Sequence, residues 1–175
     1  VNHHFMHYRQ RDIDSVLNNV VIKGGIESTD TSKWLRWGAK GFYNVHGTSF
    51  KDYRFSLFSN VPINVKGDFF LADVVFQKQS PDLIKYIYHA NQFYWTNNLQ
   101  QMDINSASIT YVATRWNLSV VAKSMLISNY VYWDNYAIPQ QYEPRINLFT
   151  LSLNKDFRWH KFTFTNNITY QYASL

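Results

Sequence analysis

Residues 155–172 read KDFRWHKFTFTNNITYQY. Within them Phe162, Phe164, Ile168, Tyr170 and Tyr172 hold one parity, while Thr163, Thr165, Asn167, Thr169 and Gln171 hold the other. Successive side chains of a β-strand point to opposite faces of its sheet, so one face here is oily and the other carries hydroxyls and amides. Something apolar must cover the first face: the interior of a soluble sandwich or barrel, or the hydrocarbon of a membrane.

The pattern recurs toward the N-terminus. In 33–45, Leu35, Trp37, Ala39, Tyr43 and Val45 stand against Arg36, Lys40 and Asn44. In 53–61, Tyr53, Phe55, Leu57 and Val61 stand against Arg54, Ser56 and Asn60. Residues 68–78 put Phe70, Ala72, Val74 and Phe76 on the oily side, with Asp68 sharing their parity. A further strand is expected over about 84–96, between the Ser80-Pro81-Asp82 turn signal and the Asn97-Asn98 pair. Residues 106–114 alternate Ala107, Ile109, Tyr111 and Ala113 with Ser106, Ser108, Thr110 and Thr114. After a tight turn at 114–117, Trp116, Leu118, Val120, Ala122 and Leu126 face away from Asn117, Ser119 and Lys123, although Val121 and Met125 dilute the polar side. That strand ends near Tyr132. WDNYAIPQQYEPR, 133–145, reads as an irregular connection because prolines resist ladder pairing. The last hairpin joins 146–154 to 162–172 through KDFRWHK.

One stretch departs from alternation. Ile13, Val16, Leu17, Val20 and Val21 fit helical spacing ahead of Gly24-Gly25, and an irregular Val-rich strand accounts for them equally well.

The expected architecture is all-β: about eight to ten antiparallel strands in an up-and-down order, one unit over 1–175, with a transmembrane β-barrel as the expected form. Composition agrees. The chain holds 13 Tyr, 13 Phe and 6 Trp but two glutamates, Glu27 and Glu143, a balance that favours pleated surfaces over helices. There is no run of about 18 apolar residues that could form a spanning helix. The slightly negative mean hydropathy fits a barrel whose every second residue faces water. VNHHFMHYRQ has no apolar core of a signal peptide, so a removed leader or a start in mid-protein is expected.

In a meander the short turns 114–117 and 155–161 lie at one end and the long 133–145 connection at the other, as in membrane barrels. A short connection at 61–65, where the strand order asks for a long one, goes against that asymmetry. Both short turns carry Arg then Trp: Arg115-Trp116 and Arg158-Trp159. Such groups suit a membrane interface, where an apolar body meets acyl chains and a polar tip stays hydrated. Tyr130, Tyr132 and Trp133 would form the opposite belt. In a soluble sandwich the same residues would plug the edge of a core.

The net charge is +5, but the basic residues are scattered, and most lie opposite the aromatics. Nucleic-acid binding needs a concentrated patch interleaved with aromatics, so no nucleic-acid partner is expected. Absence of cysteine excludes disulfides and thiolate metal sites. His3, His4 and His7 lack a carboxylate or further histidine at ligand spacing and read as ordinary strand or surface residues, with no metal. Asn117-Leu118-Ser119 and Asn167-Ile168-Thr169 match the glycosylation acceptor pattern but fall within expected strands and read as coincidence. No catalytic motif or paired carboxylates occur, and neither an enzyme nor a cofactor is expected. Arg36, Lys40, Arg54 and Lys123 have the inward parity of their strands, so they are the candidate pore-facing cations, favouring anions by attraction. Plain solvation of a polar lumen explains them too.

The stretch SNYVYWDNYAIPQQYEPRINLFTLSLNKDFRWHKFTFTNNITYQY resembles the putative porins of Bacteroidetes outer membranes. The matching residues are Asn129, Tyr130, Tyr132, Pro139, Gln140, Leu151, Leu153, Lys155, Phe157, Phe162, Asn167, Tyr170 and Gln171, with NQFYWTNNL at 91–99 similar to the family's Trp-Asn strand end. The resemblance covers about 84–172. It implies a channel-like protein of the bacterial outer membrane and, because family members are much longer, a piece of a larger barrel. The ending Ala173-Ser174-Leu175, without a terminal aromatic, fits that implication. The expected function is passive, porin-like diffusion of small polar solutes, with membrane lipid as partner and a homo-oligomer or envelope complex as further partners. A soluble β-sandwich or barrel binding carbohydrate or lipid, and a non-conducting structural subunit of an envelope complex, are the alternatives.

Overall fold

The alternating segments join one nine-stranded antiparallel sheet in which each strand pairs with the next along the chain. A computed structural model describes residues 2–10, 13–28, 34–63, 67–90 and 92–174, with side chains from residue 18 onward. The strands in chain order are β1 (Asn2–Gln10), β2 (Ile13–Glu27), β3 (Arg36–Gly47), β4 (Tyr53–Pro62) and β5 (Phe69–Gln79). A short helix α1 (Leu83–Tyr86) and the strands β6 (Ile87–His89) and β7 (Tyr94–Thr96) follow, then β8 (Met102–Ala113) and β9 (Leu118–Ser128). The chain ends with β10 (Tyr130–Trp133), β11 (Pro139–Tyr142), β12 (Ile146–Trp159) and β13 (Phe162–Ser174). The main sheet takes β1 to β5, β8, β9, β12 and β13; β6–β7 and β10–β11 are separate hairpins.

Residues directly opposite in a ladder share a face, so register carries parity across the sheet. One row runs Trp37, Ser59, Ala72, Ile109, Ala122, Leu151 and Tyr170. The adjacent row, on the other face, runs Gly38, Phe58, Asp73, Ser108, Lys123, Thr150 and Gln171. The faces inferred from sequence therefore line up across seven strands. The register breaks between Val20 and Val21, which face His46 and Asn44, leaving Val45 unpaired as the extra residue of a bulge.

The sheet does not fold onto itself. It exposes 12491 Å², whereas a compact globule of 20.8 kDa would expose about 8,900 Å². Its edges, β1 and β13, do not pair with each other, so these strands form the antiparallel up-and-down sheet expected of a barrel segment without closing it.

Several local expectations need correction. The helical alternative for 13–21 is wrong: this stretch is inside β2, and ladders to β1 and β3 override the helical spacing. The strand expected at 84–96 is absent from the main sheet; α1 and the β6–β7 hairpin occupy it, because its alternating aromatics pack on one another. Without that strand, the β4–β5 connection falls at the same end as 114–117 and 160–161, in agreement with the short-turn end. The long excursions 80–101 and 129–145 share the opposite end with the short 48–52 turn.

The strand expected to run to Tyr132 stops at Ser128, where Asn129 takes φ +57° and turns the chain into β10. Trp116 and Asn117 belong to the preceding turn, Asn117 at φ +45°. The 133–145 connection is not wholly irregular, since Pro139 opens β11 opposite Trp133, a terminal position that needs no proline N–H. KDFRWHK is mostly strand: β12 and β13 pair as far as Trp159 and Phe162, leaving His160 and Lys161 as the turn. At the β3–β4 turn Gly47 has φ +110°, and a Cβ there would lie 1.7 Å from the Asn18 carbonyl, so only glycine fits. The side chains of His3, His4 and His7 lie outside the described residues.

Candidate lumen face, membrane band and outer cap

The two faces of the sheet are exposed in inverse order to a soluble protein. Along β12 the apolar Phe149, Leu151 and Leu153 are exposed while Leu148, Thr150, Ser152 and Asn154 between them are half-buried. Ser56 is 7% exposed, yet its neighbours Phe55 and Leu57 are each 43% exposed. On β13, an edge strand, Phe164 is 54% and Tyr170 61% exposed, and the polar residues between them are exposed as well. No second layer covers these rings among the described residues, so the sandwich alternative has no core to offer them.

Polar residues bound this band. On β5 its positions Phe70, Ala72, Val74 and Phe76 are closed by Asp68 at one end and Lys78 at the other. Asp68 accepts a hydrogen bond from the Thr114 backbone N–H (2.9 Å), and Lys78 pairs with Asp103 at 3.5 Å. From Asp68 to Lys78 is about 33 Å of strand. At the usual 35–45° tilt this gives about 25 Å of height, the thickness of the apolar girdle of an outer-membrane barrel. Lys155 is the exception inside the band; its ammonium donates to the Trp116 carbonyl and lies 5.1 Å from the Phe157 ring centre, reaching toward the turn end.

The interface residues expected from sequence fall at the two ends. Arg115 and Trp116 occupy the β8–β9 turn, and Arg158 and Trp159 end β12 at the same edge; both indoles are 65% exposed. Arg158 lies on the polar face opposite Thr163, and Trp159 on the oily face opposite Phe162. Tyr130 and Tyr132 are exposed on β10 at the far end, beyond the main sheet.

Of the four expected pore-facing cations, Arg36 begins β3 opposite Asn60. Lys40 lies 5.4 Å from the Phe58 ring centre, and Arg54 donates to the Gln77 side-chain carbonyl at 3.4 Å. Lys123 stands apart on β9 between Ser108 and Thr150. Lys40 and Arg54 come together, and Lys23 of β2 joins them around a shared depression. Lys23 was hidden from sequence reasoning because β2 carries apolar residues on both faces, so its inward parity shows only in the ladder to Phe42.

The long loops form a cap. Gln100 N–H donates to the Gln141 side chain at 2.9 Å and Gln141 donates back to the Gln100 carbonyl at 2.9 Å, like two residues of a ladder. Asn97 donates to the Pro139 carbonyl at 3.0 Å. Buried Trp95 gives its N–H to the Ile84 carbonyl at 2.9 Å and packs edge-on against Trp133, with 5.6 Å between ring centres. The cap is tied to the β3–β4 turn through Asp52, whose carboxylate accepts from Ser80 N–H and Oγ, both at 2.7 Å. Burial, and then the charge of Asp52, push the Tyr86 phenol above its ordinary range. Asp134 is held below its ordinary range chiefly by the Ile138 backbone N–H, with Tyr136 N–H and Gln140 adding to it. Among the described residues no group of three or more His, Asp or Glu side chains could hold a metal.

A family model described as putative porin matches residues 2–175, well beyond the 84–172 stretch that carries the sequence resemblance. No curated protein and no solved structure matches the chain. An open meander with an oily outer band and a polar inner face, matched by that model over nearly its whole length, belongs to the putative porin family.

Proposed function

We propose that this chain forms part of the wall of a β-barrel in a bacterial outer membrane, where small polar solutes diffuse passively past its polar face. The single observation that carries the reading is the inverted exposure within the sheet: on β12 and around Ser56 the aromatic and aliphatic residues are exposed while the hydroxyl and amide residues between them are half-buried or buried. In water such an arrangement exposes the groups that gain most from burial; against acyl chains it is stable. Membrane lipid is then the first partner.

The open edges support further strands or another copy completing the wall. In a nine-stranded meander β1 and β13 run parallel, so they cannot close on each other in the antiparallel manner of bacterial barrels, which use even strand numbers. A bare edge the length of β13 is otherwise a site for unwanted pairing. No catalytic role enters this reading.

The cap favours a second reading, a non-conducting structural subunit of an envelope complex, because its loops are bonded to one another at one end of the wall. Single-channel recording on the full natural chain in planar bilayers tests the two. Discrete conductance steps support diffusion; a silent bilayer from protein shown to be inserted and folded overturns it in favour of the structural role.

A further inference from the structure

Lys23 of β2, Lys40 of β3 and Arg54 of β4 surround Phe42 on the inner face. Lys23 stands opposite Phe42 and Phe42 opposite Arg54, while Lys40 stands opposite Gly25 and Ser56. Strands lie about 4.8 Å apart, so Lys23 and Arg54 leave the backbone about 10 Å from each other, a gap their long side chains can close on one small solute. With Gly24, Gly25, Gly41 and Ser56 they line a depression of about 500 Å³. Glycine keeps it open: a Cβ on Gly25 would come within 3.1 Å of Lys40 Cβ and the Ala39 carbonyl.

Among the described residues no carboxylate pairs with any of the three cations. Among the described residues the Lys40 ammonium lies over the Phe58 ring and Arg54 donates to Gln77. Glu27 shares this face opposite Gly38 but forms no ion pair with them. Asp73, the acid of the next rows, accepts from Ser108. Three like charges within about one screening length of 10 Å repel one another until a multivalent anion neutralises them. The arginine offers a planar fork for two oxygens, and the lysines add mobile point charges.

We propose that Lys23, Lys40 and Arg54 form an oxyanion site on the inner face that holds small phosphate-bearing solutes and biases passage toward anions. Its role in passage rests on the reading of this face as a lumen; binding itself does not.

The test has two arms on the full natural chain. Reversal potentials in a potassium chloride gradient are expected to show chloride favoured over potassium. The Lys23→Gln/Lys40→Gln/Arg54→Gln variant is expected to lower that ratio several-fold, and Lys123→Gln, three strands from Arg54, to move it much less. Calorimetric titration of inorganic pyrophosphate into detergent-solubilised protein is expected to show binding that the triple variant weakens at least ten-fold. Unchanged pyrophosphate binding in the folded triple variant overturns the site; an unchanged ratio, or an equal effect of Lys123→Gln, overturns its role in passage. A silent bilayer with pyrophosphate still bound sinks the pore and upholds the site. Wild-type protein that binds no pyrophosphate sinks the site whatever the bilayer shows.

Discussion

The Gln101 carboxamide donates to the Asp52 carboxylate at 2.8 Å, joining the long loop before β8 to the β3–β4 turn. The same amide reaches the Phe50 carbonyl at 2.9 Å, and the same carboxylate oxygen receives Ser80 twice. One buried oxygen thus gathers three donor groups. Asp52→Ala leaves Ser80 N–H and the Gln101 amide without it, a cost of about 1–3 kcal/mol. Thermal unfolding in detergent should show a lower midpoint for Asp52→Ala than for Asp52→Asn, which keeps an acceptor oxygen. Equal midpoints would mean that the network contributes nothing to holding the turn.

Trp95 is the keystone of the outer cap, stacked on Tyr88 with 4.7 Å between ring centres and edge-on to Phe93 and Trp133. Its truncation to alanine should cost about 3–5 kcal/mol locally. Because the main sheet does not depend on β6–β7, the loss should appear as faster proteolysis within 80–101 and 129–145, with the strands still protected. Cleavage spreading through β8 and β9 at the same rate would contradict a cap separable from the wall.

The cap should loosen at both extremes of pH. Asp134 is depressed in the folded state, so its contribution is complete above the ordinary carboxylate range and is lost as pH falls through the lower folded value. Tyr86 is raised, so its contribution is complete below pH 10.0 and is lost as pH rises through the higher folded value. Hydrogen exchange at Ile138 should stay slow from neutral pH down to the carboxylate range and quicken below it. Asp134→Ala should abolish that acid step; its persistence would assign the step to another group.

Leu151 and Thr150 are adjacent residues with opposite surroundings. If acyl chains cover the Leu151 face, Leu151→Arg should cost about 2–4 kcal/mol in folding from denaturant into lipid vesicles. Thr150→Arg, on the inner face, should stay within about 0.5 kcal/mol of the native chain. Equal costs, or a larger one at Thr150, would reverse the assignment of the faces.

The sequence by itself determined the two faces of most strands and therefore the oily band. Alternation is a property of the local backbone, and Phe162 to Tyr172 point to opposite sides of β13 whatever strand lies beside them. It also determined the Arg-Trp pairs at one end, since turn residues mark where neighbouring strands stop. The tertiary structure decided everything that depends on a distant partner. Alternation at 84–96 was real, but Trp95 meets Tyr88 and Trp133 in a cap rather than a strand neighbour in the sheet. Val16, Leu17 and Val20 had helical spacing, and only ladders to β1 and β3 made them strand. Pro139 found a terminal ladder position opposite Trp133. Lys23, Lys40 and Arg54 became neighbours because the registers of β2, β3 and β4 bring them together, and register is fixed by hydrogen bonds between strands that no single segment encodes.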